Sequence, residues 1–334
     1  MTSEDLRIGV VGLGKMGLLH TSILNILPGV KVAAVCEKAS FTRKLVKKVL
    51  NVTPVVGDIS EFSGLNLDAV FVTTSTPSHF SVAKMIYQKQ IARHLFIEKP
   101  LTSTYLQSKE LCELAARNGG VNMVGYLRRF MVTFMKTKEL LVQDSIGELV
   151  SFDITAFSSD FFTIRGNPLP SMARGGVLRD LGSYAIDLSL WLFGDIQLDS
   201  AKIGSVTGEG AEDFSHITVQ RKSDALQGSI SASWCKDGYR MPEVNLTIKG
   251  TKGAIEVNDD KVSLALDNGD SSVWYRPDLN DNVKFWLGGP EYYREDAFFL
   301  KSVMSGSIAE PSFETASKVD LFIDSVQKKA ERNE

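Results

Sequence analysis

The chain is poor in the features that would announce a special class. Its three cysteines, Cys36, Cys112 and Cys235, are odd in number, far apart and in no metal-ligand spacing. They argue for a reducing compartment and against a metal site. No apolar run is long enough to span a bilayer. The first residues, MTSEDLR, carry acidic groups, and the apolar segment after them is too short for a signal peptide. A cytoplasmic protein is therefore expected. Charge of one sign is scarce too: the net charge of -3 offers no general reason to expect nucleic acid or an acidic membrane as partner. Internal repeats, low-complexity tracts and long linkers are missing as well.

What is present is an ordinary globular composition, 43% hydrophobic and 23% charged over 334 residues, enough chain for two domains. The most informative stretch is LRIGVVGLGKMGLLHTSIL, from Leu6 to Leu24. An apolar run breaks into Gly12, Gly14 and Gly17, and an amphipathic pattern resumes at Leu18, Leu19, Ile23 and Leu24. This reads as strand, tight turn and helix with the dinucleotide-binding spacing. Gly12 serves the turn, Gly14 the approach of a pyrophosphate, and Gly17 the packing of helix on strand. Lys15 and Met16 fall in the first helical turn, whose N–H groups and dipole suit phosphates.

Val30 to Cys36 reads as a second buried strand, and Glu37 stands at its tip, twenty residues past Gly17. A carboxylate there is placed to accept hydrogen bonds from the adenosine ribose, which favours NAD(H) over NADP(H). Lys38 and Arg43 leave NADP(H) open, since either could turn toward a 2′-phosphate, and a merely solvated strand end has the same signature. Asp68 to Thr74 is a third strand. The loop Ser75-Thr76-Pro77-Ser78-His79 follows it at the carboxyl end, where open α/β sheets bind ligands; Thr74 to Pro77 and His79 are cofactor-side candidates. His79 suits packing or a helix start better than catalysis. His94 to Ile97 runs into Glu98-Lys99-Pro100, where Glu98 and Lys99 are cofactor-side candidates and Lys99 could lie beside a nicotinamide or simply be a solvated turn lysine.

A helix over Thr102 to Arg117, capped by Thr102 or Ser103, and a strand over Val121 to Tyr126 complete a doubly wound parallel sheet of Rossmann type, assigned to residues 1–125. The remainder, 126–334, is expected to be an α/β domain with a large, mostly antiparallel, open-faced sheet. Its strands lie in LVSFDITAF, DFSHITVQ, LQGSISASW, EVNLTIKG and GAIEVN, with helices over Leu181 to Phe193, Glu291 to Met304 and Phe313 to Arg332. The last helix could pack back on the first domain.

The motifs GLGKMGLLH, TSTPSH, EKP, GYLRRF and RGGVLRDLGSYAIDLSLWLFG, in that order from about Leu6 to Gly194, resemble the glucose–fructose oxidoreductase and inositol dehydrogenase family, Gfo/Idh/MocA. The resemblance implies a nicotinamide-cofactor domain joined to a substrate domain, and a Lys99–Pro100 bond that is often cis. It also implies hydride exchange between the cofactor and a secondary alcohol or ketone of a sugar, polyol or nucleotide sugar. Lys99 matches the family's lysine beside nicotinamide and substrate, and Asp180 matches its aspartate. Where the family most often has histidine as acid/base, this chain has Tyr184, as in the glucose–fructose oxidoreductase and dihydrodiol dehydrogenase branch.

The residue chemistry agrees. On a helix Asp180 and Tyr184 share a face, continued by Asp187. A phenol is a poor base at neutral pH unless a cation favours its ionised form, which Lys99 can supply while Asp180 binds a substrate hydroxyl or orients the lysine. A core tyrosine and a helix-cap aspartate are the bland alternative. Arg128 and Arg165 are substrate-side candidates. Arg129 could bridge domains, and Phe161, Phe162 and Arg174 could form a lid. Trp234, Lys236, Tyr239 and Arg240 suit a sugar ring or a packed sheet edge. Two further readings stay open: a non-catalytic dinucleotide- or sugar-sensing regulator on the same scaffold, and a sugar–sugar oxidoreductase with tightly bound cofactor. The open sheet, with Trp274, Tyr275, Phe285 and Trp286, suggests a homodimer or homotetramer.

Overall fold

The computed structural model describes residues 5–49, 53–160, 174–207, 210–224, 226–239, 241–284 and 289–331. The chain divides into two compact units, Met1–Tyr126 with Val283–Asp320, and Leu127–Asn282 with Leu321–Glu334.

In the first unit, strands β1 (Leu6–Val11), β2 (Val30–Cys36), β3 (Val55–Val56), β4 (Ala69–Val72), β5 (His94–Glu98) and β6 (Asn122–Gly125) form one sheet in the order β3-β2-β1-β4-β5-β6. Every pairing in it is parallel. The strands are nearly continuous apolar runs because helices cover both faces of such a sheet, leaving no solvent side to mark by alternation. Helices α1 (Lys15–Leu24), α2 (Ser40–Val49), α3 (Thr76–Gln88) and α4 (Tyr105–Asn118) make the crossovers. The order reverses between β1 and β4, and a crevice opens at their carboxyl ends. The cap of α4 is Thr104, whose side chain accepts the Gln107 N–H, rather than Thr102 or Ser103. Thr102 is turned inward and donates its hydroxyl to the Thr104 carbonyl at 2.7 Å.

In the second unit, α5 (Val132–Val142), β7 (Leu149–Phe157), a π-helical turn over Leu178–Gly182 and α6 (Ser183–Phe193) precede a run of strands. These are β8 (Gln197–Gly204), β9 (Phe214–Gln220), β10 (Gln227–Ser233), β11 (Glu243–Gly250), β12 (Gly253–Val257), β13 (Lys261–Leu266) and β14 (Ser271–Tyr275). The eight strands lie in the order β14-β13-β12-β11-β7-β10-β9-β8. Only β7 and β10 pair parallel, so the sheet is mostly antiparallel, as expected. Phe152, Ile154, Leu246, Ile248 and Ile230 are buried on one face, where Phe152 stacks on Phe193 of α6 at 4.2 Å. Alternate positions put Asp153, Thr155, Ser229, Asn245 and Thr247 on the other face.

Helix α7 (Pro290–Ser305) belongs to the first unit, and α8 (Phe313–Glu331) starts in the first and ends in the second. Phe299 of α7 meets Phe71 of β4 edge-on at 5.5 Å, and Phe71 stacks on Phe96 of β5 at 4.6 Å. Such pairs add roughly 1 kcal/mol each beyond burial, which ties a helix distant in sequence to the middle of the sheet. No described helix is long and apolar enough to cross a membrane.

Candidate active site

The first unit carries a groove of about 350 Å³ at the crevice, lined by the glycine loop, the tips of β2 and β4 and one side of α3. Gly12 has φ +93°, and a Cβ there would lie 2.9 Å from the Thr74 backbone. A Cβ on Gly17 would come within 1.8 Å of the Gly12 carbonyl oxygen. Both glycines are therefore required by the turn itself. Gly14 differs: a Cβ there would meet nothing within 4 Å. It is also the N-cap of α1, which no side chain caps. A glycine that the protein does not need for packing, at an uncapped helix start facing open space, fits a group that must approach the backbone closely, as a pyrophosphate does. Lys15 is exposed and Met16 half-buried in the first turn.

Glu37 is tied into this loop. Its Oε2 accepts the Leu13 N–H at 2.7 Å and its Oε1 the Ala39 N–H at 2.7 Å, and each oxygen keeps a lone pair for a ribose hydroxyl. Arg43 is drawn away, donating to the Glu37 and Lys38 carbonyls at 2.7 and 2.6 Å. Lys38 is exposed at the rim. On the β4 side, Thr74 and Ser75 line the groove, with Ser75 the N-cap of α3 and Thr76 and Pro77 in its first turn. His79 is buried, with Nδ1 2.9 Å from the Pro100 carbonyl and Nε2 2.9 Å from the Thr74 carbonyl. Burial pushes its basicity down, against both carbonyls. It clamps the two loops that follow β4 and β5 and does not face the groove.

Sequence reasoning passed over Asp58, Ile59, Ser81, Val82 and Met85, which also line the groove. The signal for the last three was their spacing: with Ser78 they recur three and four apart along α3, hence on one face.

Beyond β5, the Lys99–Pro100 peptide is cis, as the resemblance implied. Glu98, a cofactor-side candidate, is buried and does not line the groove: its Oε1 meets His20 at 2.9 Å and its Oε2 accepts the Lys99 N–H at 3.1 Å. Lys99 itself is half-buried.

The other site candidates are in the second unit. Asp180 lies in the π-helical turn and Tyr184 in the first turn of α6, so a π-turn, not a regular helix, separates them. Such turns are frequent at functional sites. Asp180 Oδ2 accepts the Trp234 indole N–H at 3.2 Å and an Arg174 N–H at 3.3 Å, and Arg174 also reaches Asp160 at 2.5 Å. Trp234 is fully buried. It anchors the aspartate and is not a surface for a sugar.

Arg128 is buried with its guanidinium 4.5 Å from the Tyr184 ring centroid, and it donates to the Pro242 carbonyl and to Asp259 at 3.3 Å each. Arg129 is buried and grips Asp187 through two bonds of 2.9 and 2.6 Å. Asp187 therefore extends no open face. Lys236 and Tyr239 pack on Phe157 at 5.3 and 5.6 Å. Phe161, Phe162, Arg165, Arg240, Phe285 and Trp286 lie outside the described residues. Among the described residues no group of histidine, cysteine or acidic side chains could hold a metal.

A reversing parallel sheet, a glycine turn opening a helix and a carboxylate at the second strand tip define the class of the first unit: a dinucleotide-binding domain. The chain belongs to the Gfo/Idh/MocA family, since residues 6–126 match its oxidoreductase domain with NAD-binding Rossmann fold and residues 134–256 its C-terminal domain. It is similar to the myo-inositol 2-dehydrogenase of Thermotoga maritima, 25% identical over 97% of this chain and 96% of that one. It is also similar to the levoglucosan dehydrogenase of Pseudarthrobacter phenanthrenivorans, 24% identical over 98% and 96%. Among solved structures, a levoglucosan dehydrogenase in complex with NADH and levoglucosan superposes with TM-score 0.86 at 21% identity, over 99% of this chain and 98% of the other.

Proposed function

We propose that this protein is an NAD(H)-linked dehydrogenase that interconverts a secondary alcohol of a cyclic polyol or sugar with the corresponding ketone or lactone. The names of the relatives support the substrate class. The observation that carries the proton-transfer half is the Arg128 guanidinium against the Tyr184 ring, because a cation on the ring face stabilises negative charge developing on the phenol oxygen. A bound NAD would supply the acceptor for the hydride of the carbinol carbon. The Gly12–Gly17 loop and the start of α1 would hold its pyrophosphate, and Glu37 its adenosine ribose. Tyr184 would take the hydroxyl proton, Lys99 would hold the substrate oxygen, and Asp180, kept in place by Trp234 and Arg174, would accept a second substrate hydroxyl.

The test is fluorescence titration with NADH and NADPH, followed by NAD-linked turnover on myo-inositol, scyllo-inositol, levoglucosan and a set of nucleotide sugars. Tighter binding of NADH and turnover on one class are expected. Tight cofactor binding with no turnover on any of them would refute the catalytic reading in favour of a sensor.

The open sheet face supports a second proposal, a homodimer or homotetramer, and the free Cys36, Cys112 and Cys235 support a location in the cytoplasm. Light scattering at micromolar concentration should report a multiple of the 36.7 kDa chain, and a monomer mass would refute it.

A further inference from the structure

Beneath the end of β5 in the first unit lies a set of ionisable side chains that contacts neither the groove nor, in the proposal above, the substrate. His20 of α1 is fully buried, with rings of Phe71, Phe96 and Tyr292 around it at 5.7, 5.2 and 6.1 Å. Its Nδ1 lies 2.8 Å from Oδ1 of Asp296 in α7, and its Nε2 2.9 Å from Oε1 of Glu98. The other Glu98 oxygen accepts the Lys99 N–H. The result is one unbroken line, Asp296 to His20 to Glu98 to the backbone of Lys99.

A neutral imidazole carries one N–H, whereas both nitrogens here face carboxylate oxygens, so the Asp296–His20–Glu98 line must hold one proton beyond that of the neutral ring. Burial works against the charge, but Asp296, through its charge and hydrogen bond, and then Glu98 hold the ring well above its ordinary basicity. Glu295 is fully buried beside them, and neither of its oxygens has a hydrogen-bond partner among the described residues. Burial, followed by the Glu98 charge, raises it well above the carboxylate range, with His20 opposing and Asp296 and Glu291 adding. Burial raises Asp296 as well, opposed by the charge and hydrogen bond of His20, so the ring and its two carboxyl partners hold their proton as one buried unit.

We propose that His20 and Asp296 are positioning residues for Lys99: through Glu98 they fix the peptide from which the lysine side chain departs. The inference rests on the catalytic reading of Lys99 given above. The physical reason is the length of the lysine. Four rotatable bonds separate its ammonium from the main chain, so the starting peptide must be held if the charge is to arrive within a few tenths of an ångström. Ordinary strand bonding does not do this beyond the last residue of β5. Charge-assisted bonds to the buried ring, itself clamped by a helix from the far end of the chain, do.

The test uses the full-length protein and the variants His20→Gln, Asp296→Asn and Lys99→Met. Hydrogen exchange at the Lys99 amide, which needs no substrate, should be about tenfold faster in His20→Gln, with the amides of β1 and β4 unchanged. Asp296→Asn, which keeps an acceptor but not the charge, should fall between. On any alcohol the wild type oxidises, kcat should drop about 100-fold in His20→Gln with the Kd for NADH unchanged. Because the folded-state basicity of His20 is raised, its stabilisation is full below its ordinary value of 6.5 and is lost as pH rises past it. The excess in thermal midpoint of wild type over His20→Gln should shrink accordingly from about pH 6.5 upward.

Unchanged exchange at Lys99 in His20→Gln would overturn the proposal, and so would faster exchange throughout the unit with kcat intact, the mark of a merely structural cluster. Full turnover by Lys99→Met would refute the catalytic reading of the lysine, while the exchange result would still report on the positioning.

Discussion

Replacing Lys99 with methionine is expected to leave the affinity for NADH within about twofold of wild type and to lower turnover about a thousandfold. The described groove is built from the loops after β1, β2 and β4 and from α3, and Lys99 is not among its lining residues, so the bulk of the cofactor contact should survive. Methionine matches the lysine in length and apolar stem but brings no charge. What would disappear is the cation proposed to hold the substrate oxygen, a contribution made mainly in the transition state. The effect should therefore appear in kcat more than in KM, and single-turnover measurements with a bound alcohol locate it in the chemical step. Lys99→Arg keeps the charge on a planar fork of different reach and should recover only part of the rate. Wild-type turnover in Lys99→Met would remove the lysine from the mechanism.

The glycines of the first turn should separate folding from binding. Gly17→Ala places a methyl 1.8 Å from the Gly12 carbonyl oxygen and 2.8 Å from Thr73 Oγ1. That carbonyl cannot retreat easily, since Gly12 already holds φ +93° and its oxygen accepts the Thr73 hydroxyl at 2.7 Å. Helix α1 must shift off β1 instead. Overpacking of this kind costs about 1–3 kcal/mol of stability. Loss of aligned N–H groups at the helix start should weaken NADH about 100-fold. Gly14→Ala meets nothing in the protein, so its thermal midpoint should match wild type while its NADH affinity falls. Paired thermal unfolding and fluorescence titration read both. Wild-type NADH affinity in Gly14→Ala would mean that nothing approaches the loop there.

The legible parts of the fold were those whose signal is local. β1, β2, β4 and β5 are buried on both faces and read as apolar runs, and the strands β7, β9, β10, β11 and β12 sit mid-sheet, where one buried face enforces alternation. The strands the sequence does not mark are β3, only two residues long, and β8, β13 and β14. β8 and β14 are the edges of the eight-stranded sheet; both are polar or largely exposed, as edges are when they must not recruit other chains. The helix cap was misplaced by one or two residues because Thr102, Ser103 and Thr104 are chemically equivalent candidates, and Thr102 is drawn instead into a buried bond with Ser108 at 2.7 Å.

The sequence by itself determined the glycine turn, the carboxylate at the tip of β2, the alternation of strand and helix in the first unit and the family, because each depends on spacing along a few tens of residues that local backbone geometry converts directly into position. The tertiary structure alone decided the use of the individual side chains. Trp234 reaches Asp180 across 54 residues, Arg129 reaches Asp187 across 58, and Asp296 reaches His20 across 276. A buried charge or indole N–H must find its partner wherever packing brings one, and no periodicity in the chain records which partner that is.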